Sequence, residues 1–287
     1  MKNFKTTITA LITPFRNQKI DFESLQNLVN KQLAAKIGGF VINGTTGESP
    51  TLDWSEVVEV YNFVKKMIPK EIPLILGTGS NSTKNTIETS KRAEEMGADA
   101  LLVVVPYYNK PSQKGLIEHF NAVADAVSVP VILYNVPSRT ITSLSLSTIF
   151  QLSKHKNIIG IKEASGNISF AKEIIKTCSS EFLMLSGDDG SYPEFIIAGG
   201  HGIISVTSHI IPEVFINLLK ERGESHEFKR YHRLINLLFA EANPIPVKKA
   251  LQLLNIISSA ELRLPLSALE ENLTRDLLLE LENVGIL

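Results

Sequence analysis

The chain has 287 residues, 44% of them hydrophobic, with 29 Lys+Arg against 30 Asp+Glu. That length can bury a large core, while a net charge of −1 and a pI near 6.6 offer no field for holding nucleic acid or an anionic membrane. A single cysteine, Cys178, excludes an intrachain disulfide and fits a reducing compartment.

The opening MKNFKTTITALITPFR sets two lysines before an apolar run, a faint signal-peptide pattern. The run is short, rich in Thr and broken by Pro14 and Arg16, so it reads as a first strand, TTITALI (6–12). Further apolar, β-branched runs follow as GFVIN (39–43), PLILGT (73–78), ALLVVV (100–105) and PVILYN (130–135). IIGIKE (158–163), FLMLSG (182–187) and GIISV (202–206) bring the number of expected strands to eight. Between them the helical period returns, as in FESLQNLVNKQLAAK, with Phe22, Leu25, Leu28, Val29 and Leu33 on one stripe. Asp53 and Glu56 have capping-box spacing with Leu52 and Val57 as a staple, and Asn81, Ser112 and Ser145 are expected to cap three more helices. Cys178, at the end of AKEIIKTC with no nearby His, reads as buried filler rather than a nucleophile.

Near-continuous apolar strands alternating with helices imply a parallel sheet covered on its faces. Eight such units most often close into a (β/α)8 barrel, the expected α/β fold, with a doubly wound open sheet as the alternative. After residue 210 only helical patterns remain. The expected organisation is a barrel over residues 1–223 and a small helical appendix over 224–287, packed on it. No stretch approaches the roughly 18 uninterrupted apolar residues of a membrane span, so a soluble, cytoplasmic protein is expected.

In a barrel, function sits where the strands end. The turns there are NGTTGES, GTGSNS, PYYNKPSQ, YNVPSRT, KEASGN, SGDDG and SVTSH. Lys162 closes a core strand, although lysine is almost never fully buried without a partner. Strand alternation puts Lys162 on one face with Ile158 and Gly160, and Ile159 and Ile161 on the other. Lys162 then points inward at the barrel top, with Tyr134 inward one strand away. Desolvation weakens an ammonium's preference for the charged form, which suits imine formation with a carbonyl substrate. The alternative is a lysine that snorkels to pair with Asp188 or Asp189. NGTTGES offers two hydroxyls and several backbone N–H groups to a small anion such as a carboxylate, or else is an ordinary turn. GTGSNS lacks the third glycine of a dinucleotide fingerprint, and no phosphate-binding G-x-x-x-x-G-K-[ST] occurs. The six histidines show no metal-ligand spacing, with His119, His226 and His232 on surface-like helices, so no metal is expected.

In combination, GTTGES, PYYNKPSQKG, YNVPSRT, GIKEASGN and SGDD resemble the dihydrodipicolinate synthase family, and the likeness runs from about residue 6 to NPIPVKKAL (243–251). The resemblance implies a homotetramer of (β/α)8 barrels that condenses pyruvate with aspartate-4-semialdehyde on the route to lysine and diaminopimelate. It implies that Lys162 forms the pyruvate imine, and that Thr45 and Thr46 supply carboxylate-binding and proton-relay hydroxyls. Tyr134 corresponds to the general acid/base, Tyr108 to a relay tyrosine inserted into a neighbouring subunit, and Arg139 to the grip on the aldehyde's carboxylate. Gly187 and Ile204 correspond to backbone positions lining the pyruvate pocket. No metal or organic cofactor is implied beyond the covalent imine. Related aldolases for N-acetylneuraminate or keto-deoxy sugars share the turn, the tyrosine and the lysine; Arg139 and SGDD favour the synthase. A catalytically silent barrel is the reading from a different class.

Members of that family inhibited by lysine bind it at a dimer interface near the positions of Ser49, Asn81 and Tyr107. Sensitive members usually carry a histidine where this chain has Trp54 and a glutamate where it has Asn85, so weak or absent inhibition is expected.

Overall fold

The computed structural model describes residues 2–225 and 227–287. Its strands are β1 (Thr7–Ala10), β2 (Gly39–Ile42), β3 (Leu74–Gly77) and β4 (Ala100–Val104), followed by β5 (Val131–Asn135), β6 (Ile158–Glu163), β7 (Leu183–Ser186) and β8 (Gly202–Ser205). Each is parallel to the next, and β8 returns to pair with β1, so the sheet is a closed barrel and the open-sheet alternative falls away. A short hairpin, Phe15–Arg16 with Lys19–Ile20, stands outside it.

The strands are apolar on both faces because they separate two packed layers. Ile8, Val41, Ile75, Leu102, Ile132, Leu185 and Ile204 fill the barrel. Their outward neighbours, such as Phe40, Leu74, Leu101, Leu133 and Ile161, pack against the helices. Strict alternation fails at one point. The β5–β6 register shifts between Val131 and Ile132, whose partners are Ile158 and Gly160. The extra residue is a bulge, which turns Ile158 outward and Ile159 inward. Lys162 and Tyr134 stay in phase beyond it, paired across the ladder.

Local signals set most helix starts. Asp53 and Glu56 form the reciprocal capping box of Trp54–Met67, and Ser112 and Ser145 accept N–H bonds at the starts of Gln113–Asp125 and Leu146–Leu152. Helix Thr83–Glu95 is capped by Ser82 rather than Asn81, because the Ser82 hydroxyl accepts from the Asn85 N–H. His119 is buried, not on a surface-like face, with Nδ1 2.9 Å from Thr83 Oγ1. His232 is exposed as expected, while His226 lies outside the described residues.

Beyond β8 the chain is helical over Pro212–Lys220, His232–Leu238, Ile245–Leu253 and Glu271–Asn283. These helices share the barrel's outer core through Phe215, Leu234, Leu251 and Leu281. No helix among the described residues is long and apolar enough to cross a membrane.

Candidate active site

The strand ends converge on a cavity of about 460 Å³ whose lining includes Thr45, Ser49, Tyr107, Tyr134 and Arg139. Lys162 lies behind Tyr134, with Nζ 4.3 Å from the centre of the phenol ring. The lysine is 7% exposed, and among the described residues it makes no ion pair. The two acids that could have paired with it are engaged elsewhere. Asp188 accepts from the Ser191 backbone N–H at 3.0 Å and from its hydroxyl. Asp189 accepts the N–H groups of Val206 and Thr207 at 3.0 and 2.7 Å, and burial pushes its carboxyl upward.

Gly187 makes room for the lysine stem. A Cβ at this position would stand 2.7 Å from Lys162 Cε and 2.6 Å from the Ala164 Cβ. The Gly187 N–H donates to the Glu163 carbonyl at 2.7 Å, fixing the β7 end against β6. Ile204 is an interior barrel residue in the same buried cluster as Leu185 and Tyr134.

The GTTGES turn winds as two single 3₁₀ turns, Thr45–Gly47 and Ser49–Thr51, hinged on Glu48 at φ 57°. Thr45 is half-buried and faces the cavity, whereas Thr46 is buried and its hydroxyl accepts from Asn243 Nδ2 at 2.9 Å. Asn243 also accepts from Arg139 Nη2 through its carbonyl, at 3.3 Å. Sequence reasoning missed Asn243; its one signal is the Asn-Pro step just before helix Ile245–Leu253.

A second missed feature is a buried ion pair, Glu48 with Lys248, N to O 2.5 Å, both side chains fully buried. Lys248 also donates to the Glu261 carbonyl at 2.8 Å. Burial pulls its ammonium below the usual lysine range, and the Glu48 carboxylate only partly offsets this. Arg263 completes the clamp, donating its backbone N–H to Glu48 and both terminal guanidinium nitrogens to Glu56.

The remaining candidates divide between the cavity wall and the surface. Tyr108 is 87% exposed, with φ 74°. Tyr107 beside it reaches the cavity, as does Ser49. Trp54 already faces a cation, the Arg92 guanidinium 6.0 Å from its ring. Asn85 is exposed, and Asn81 accepts from Asn109 Nδ2 through its carbonyl. Among the described residues no cluster of His, Cys, Asp and Glu could hold a metal ion.

The profile of the dihydrodipicolinate synthetase family matches residues 3–283. A 4-hydroxy-tetrahydrodipicolinate synthase from Bdellovibrio bacteriovorus is 58% identical over the full length of both chains. The crystal structure of dihydrodipicolinate synthase from Aquifex aeolicus superimposes with a TM-score of 0.94 at 38% identity, covering 99% of each chain. A chloride-inhibited dihydrodipicolinate synthase from Acinetobacter baumannii, crystallised with pyruvate, gives 0.93 at 38% identity, covering 99% of this chain and all of that one.

Proposed function

The chain belongs to the dihydrodipicolinate synthetase family and is an enzyme with 4-hydroxy-tetrahydrodipicolinate synthase activity, and on that premise we propose how its residues divide the work. The Lys162 amine attacks the ketone carbon of pyruvate, and loss of water gives an imine. The electron-poor imine acidifies the neighbouring methyl group, whose proton leaves to give an enamine. The enamine carbon then attacks the aldehyde carbon of aspartate-4-semialdehyde, whose oxygen takes up a proton, and attack of water or of the semialdehyde's own amine on the re-formed imine carbon releases Lys162. The imine nitrogen itself is the electron sink, so this chemistry calls for no metal or organic cofactor.

The observation that carries the reading is the juxtaposition of Lys162 Nζ with the Tyr134 ring at 4.3 Å. A lysine without a carboxylate partner keeps its amine for a substrate, and the phenol beside it is in reach to move protons. Thr45, on the cavity wall, is the hydroxyl available to a carboxylate or proton relay, and Thr46 holds the turn's shape through Asn243. Arg139, at the rim, offers a guanidinium to the aldehyde's carboxylate. Gly187 and Ile204 border the pyruvate end. The exposed Tyr108 is assigned to a neighbouring copy's site within a homotetramer, and the cytoplasm is the proposed compartment.

Borohydride reduction in the presence of pyruvate tests this reading. It should add one pyruvyl unit to the peptide containing Lys162, and label on another lysine, or none, would reject the assignment.

A further inference from the structure

The residues that follow the two central side chains form a pair of their own. Asn135 comes directly after Tyr134 on β5, and Glu163 directly after Lys162 on β6; they are register partners. Both are buried, at 1% and 3% exposure. Asn135 Nδ2 donates to Glu163 Oε2 at 2.7 Å. The amide's other end accepts the Leu144 N–H at 3.0 Å, which fixes which atom is oxygen. Glu163 Oε1 accepts the Ser165 N–H at 2.7 Å. Burial still drives the carboxyl upward against these donors.

The geometry points to a positioning role: we infer that the Asn135–Glu163 hydrogen bond sets the spacing of Tyr134 and Lys162 and closes the loop that carries Arg139. The loop argument rests on Leu144. Residues 136–144 leave the end of β5, carry Arg139, and return to donate to the Asn135 side chain. One amide therefore ties the tyrosine's strand, the lysine's strand and the arginine's loop. The ammonium-to-ring distance is short, and an error of an ångström in such placements costs about 10²-fold in rate. Neither side chain is among the residues lining the cavity; both act through their neighbours.

The inference rests on the Lys162–Tyr134 reading above, and donor–acceptor logic tests it separately. Glu163→Gln alone brings an NH₂ against either Asn135 Nδ2 or the Ser165 N–H, two donors facing each other. Asn135→Asp alone sets a carboxylate against a carboxylate. The double exchange, Asn135→Asp with Glu163→Gln, reverses the bond and keeps every partner. The amide, now on β6, donates to the carboxylate, now on β5, and its oxygen accepts from the Ser165 N–H. The carboxylate's second oxygen accepts from the Leu144 N–H.

The measurements are kcat and pyruvate KM on folded protein, well below each variant's melting point, with borohydride labelling as the control. Each single variant should lose kcat by roughly 10- to 100-fold, with a smaller change in KM, and the double exchange should recover to within about threefold of wild type. A purely structural pair would lower only the melting temperature. Folded single variants that keep wild-type kcat overturn the inference. So does a double exchange that fails to fold, or that folds with kcat still depressed; if a single variant does not fold, the double exchange decides. Wild-type protein that is not labelled at Lys162 rejects the underlying reading instead.

Discussion

Two lysines are buried in this protein, in two regions with opposite logic. Lys248, in the C-terminal helical region, has its charge met on every side: the Glu48 carboxylate at 2.5 Å, the Glu261 carbonyl, and the Phe15 ring 4.2 Å away. Lys162, at the barrel mouth, has a phenol ring and a glycine-sized gap, and no carboxylate within ion-pairing distance among the described residues. Desolvating an ammonium is costly in both places. At Lys248 partners offset part of that cost, and the result is a joint between two parts of the chain. Lys162 has no such partners among the described residues, and its Nζ is left free to meet a substrate. Burial alone does not separate a structural lysine from a reacting one; the inventory of partners does.

The largest expected effect breaks this comparison into its halves. Lys162→Met should reduce condensation to background, on the order of 10⁴-fold or more, while the protein stays folded, because no ion pair of Lys162 among the described residues is lost. Lys248→Met should do the reverse to stability. Leaving Glu48 buried without its cation costs about 3–5 kcal/mol, visible as a lower melting temperature and denaturant midpoint. Adding Glu48→Gln should recover most of that loss, since a neutral pair carries no orphan charge. A Lys248→Met protein as stable as wild type would show that the ion pair contributes nothing.

Buried histidines sharpen the same point at lower amplitude. Burial pulls His209 and His119 down from 6.5 to about 4. His209 is neutral, its Nδ1 2.7 Å from the Val206 carbonyl and its Nε2 accepting the Ile12 N–H. The unfolded chain binds these protons below pH 6.5 and the folded chain does not. Their contribution is therefore complete above that pH and is lost as pH falls toward 4, by about 2 kcal/mol each at pH 5. Urea unfolding at pH 8 and pH 5 should show this difference, reduced by about half in His209→Gln. An unchanged midpoint at pH 5 would mean that both rings find their proton in the folded state.

The smallest expected effect concerns lysine as an inhibitor. Asn85 brings no negative charge to a cationic ligand, and the Trp54 ring is already faced by Arg92. Losing one charged hydrogen bond, about 1.5–3 kcal/mol, weakens binding roughly 10- to 100-fold. Inhibition by lysine should therefore be weak or absent at around a millimolar. Half-inhibition well below that concentration would show that the pocket works without those two residues.

The fold was legible because its signals are local. Eight apolar runs, Asp53 with Glu56, and Ser112 and Ser145 as caps all act within a few residues of the position they define. The lysine–tyrosine pairing was legible for a related reason, since strand parity is a short-range rule. That rule failed at Ile158 and Ile159, where a bulge absorbed one residue; Gly160, a glycine inside the strand at the shifted register, was its signal in the sequence. It held at Lys162 because the ladder re-enters register before the strand ends. What stayed hidden were contacts across long stretches of chain. Asn243 meets Thr46 and Lys248 meets Glu48 at a separation of about 200 residues, and no pattern in either segment names the other. Asn135 with Glu163 sat in plain view beside the reacting pair, but only the hydrogen-bond directions give it meaning.

The position of Asn243 and Lys248 after all eight strands has a consequence during synthesis. A ribosome that has made 242 residues has already delivered all eight strands, Lys162, Tyr134 and Arg139. It has not delivered the amide that holds Thr46, the ammonium that holds Glu48, or the carbonyl that receives Arg139. Until those residues are made and docked, the barrel has its amine but not its finished mouth. What is acquired late is the framing of that amine, when helix Ile245–Leu253 docks, and a chain stopped before it carries the lysine without the contacts that shape the pocket.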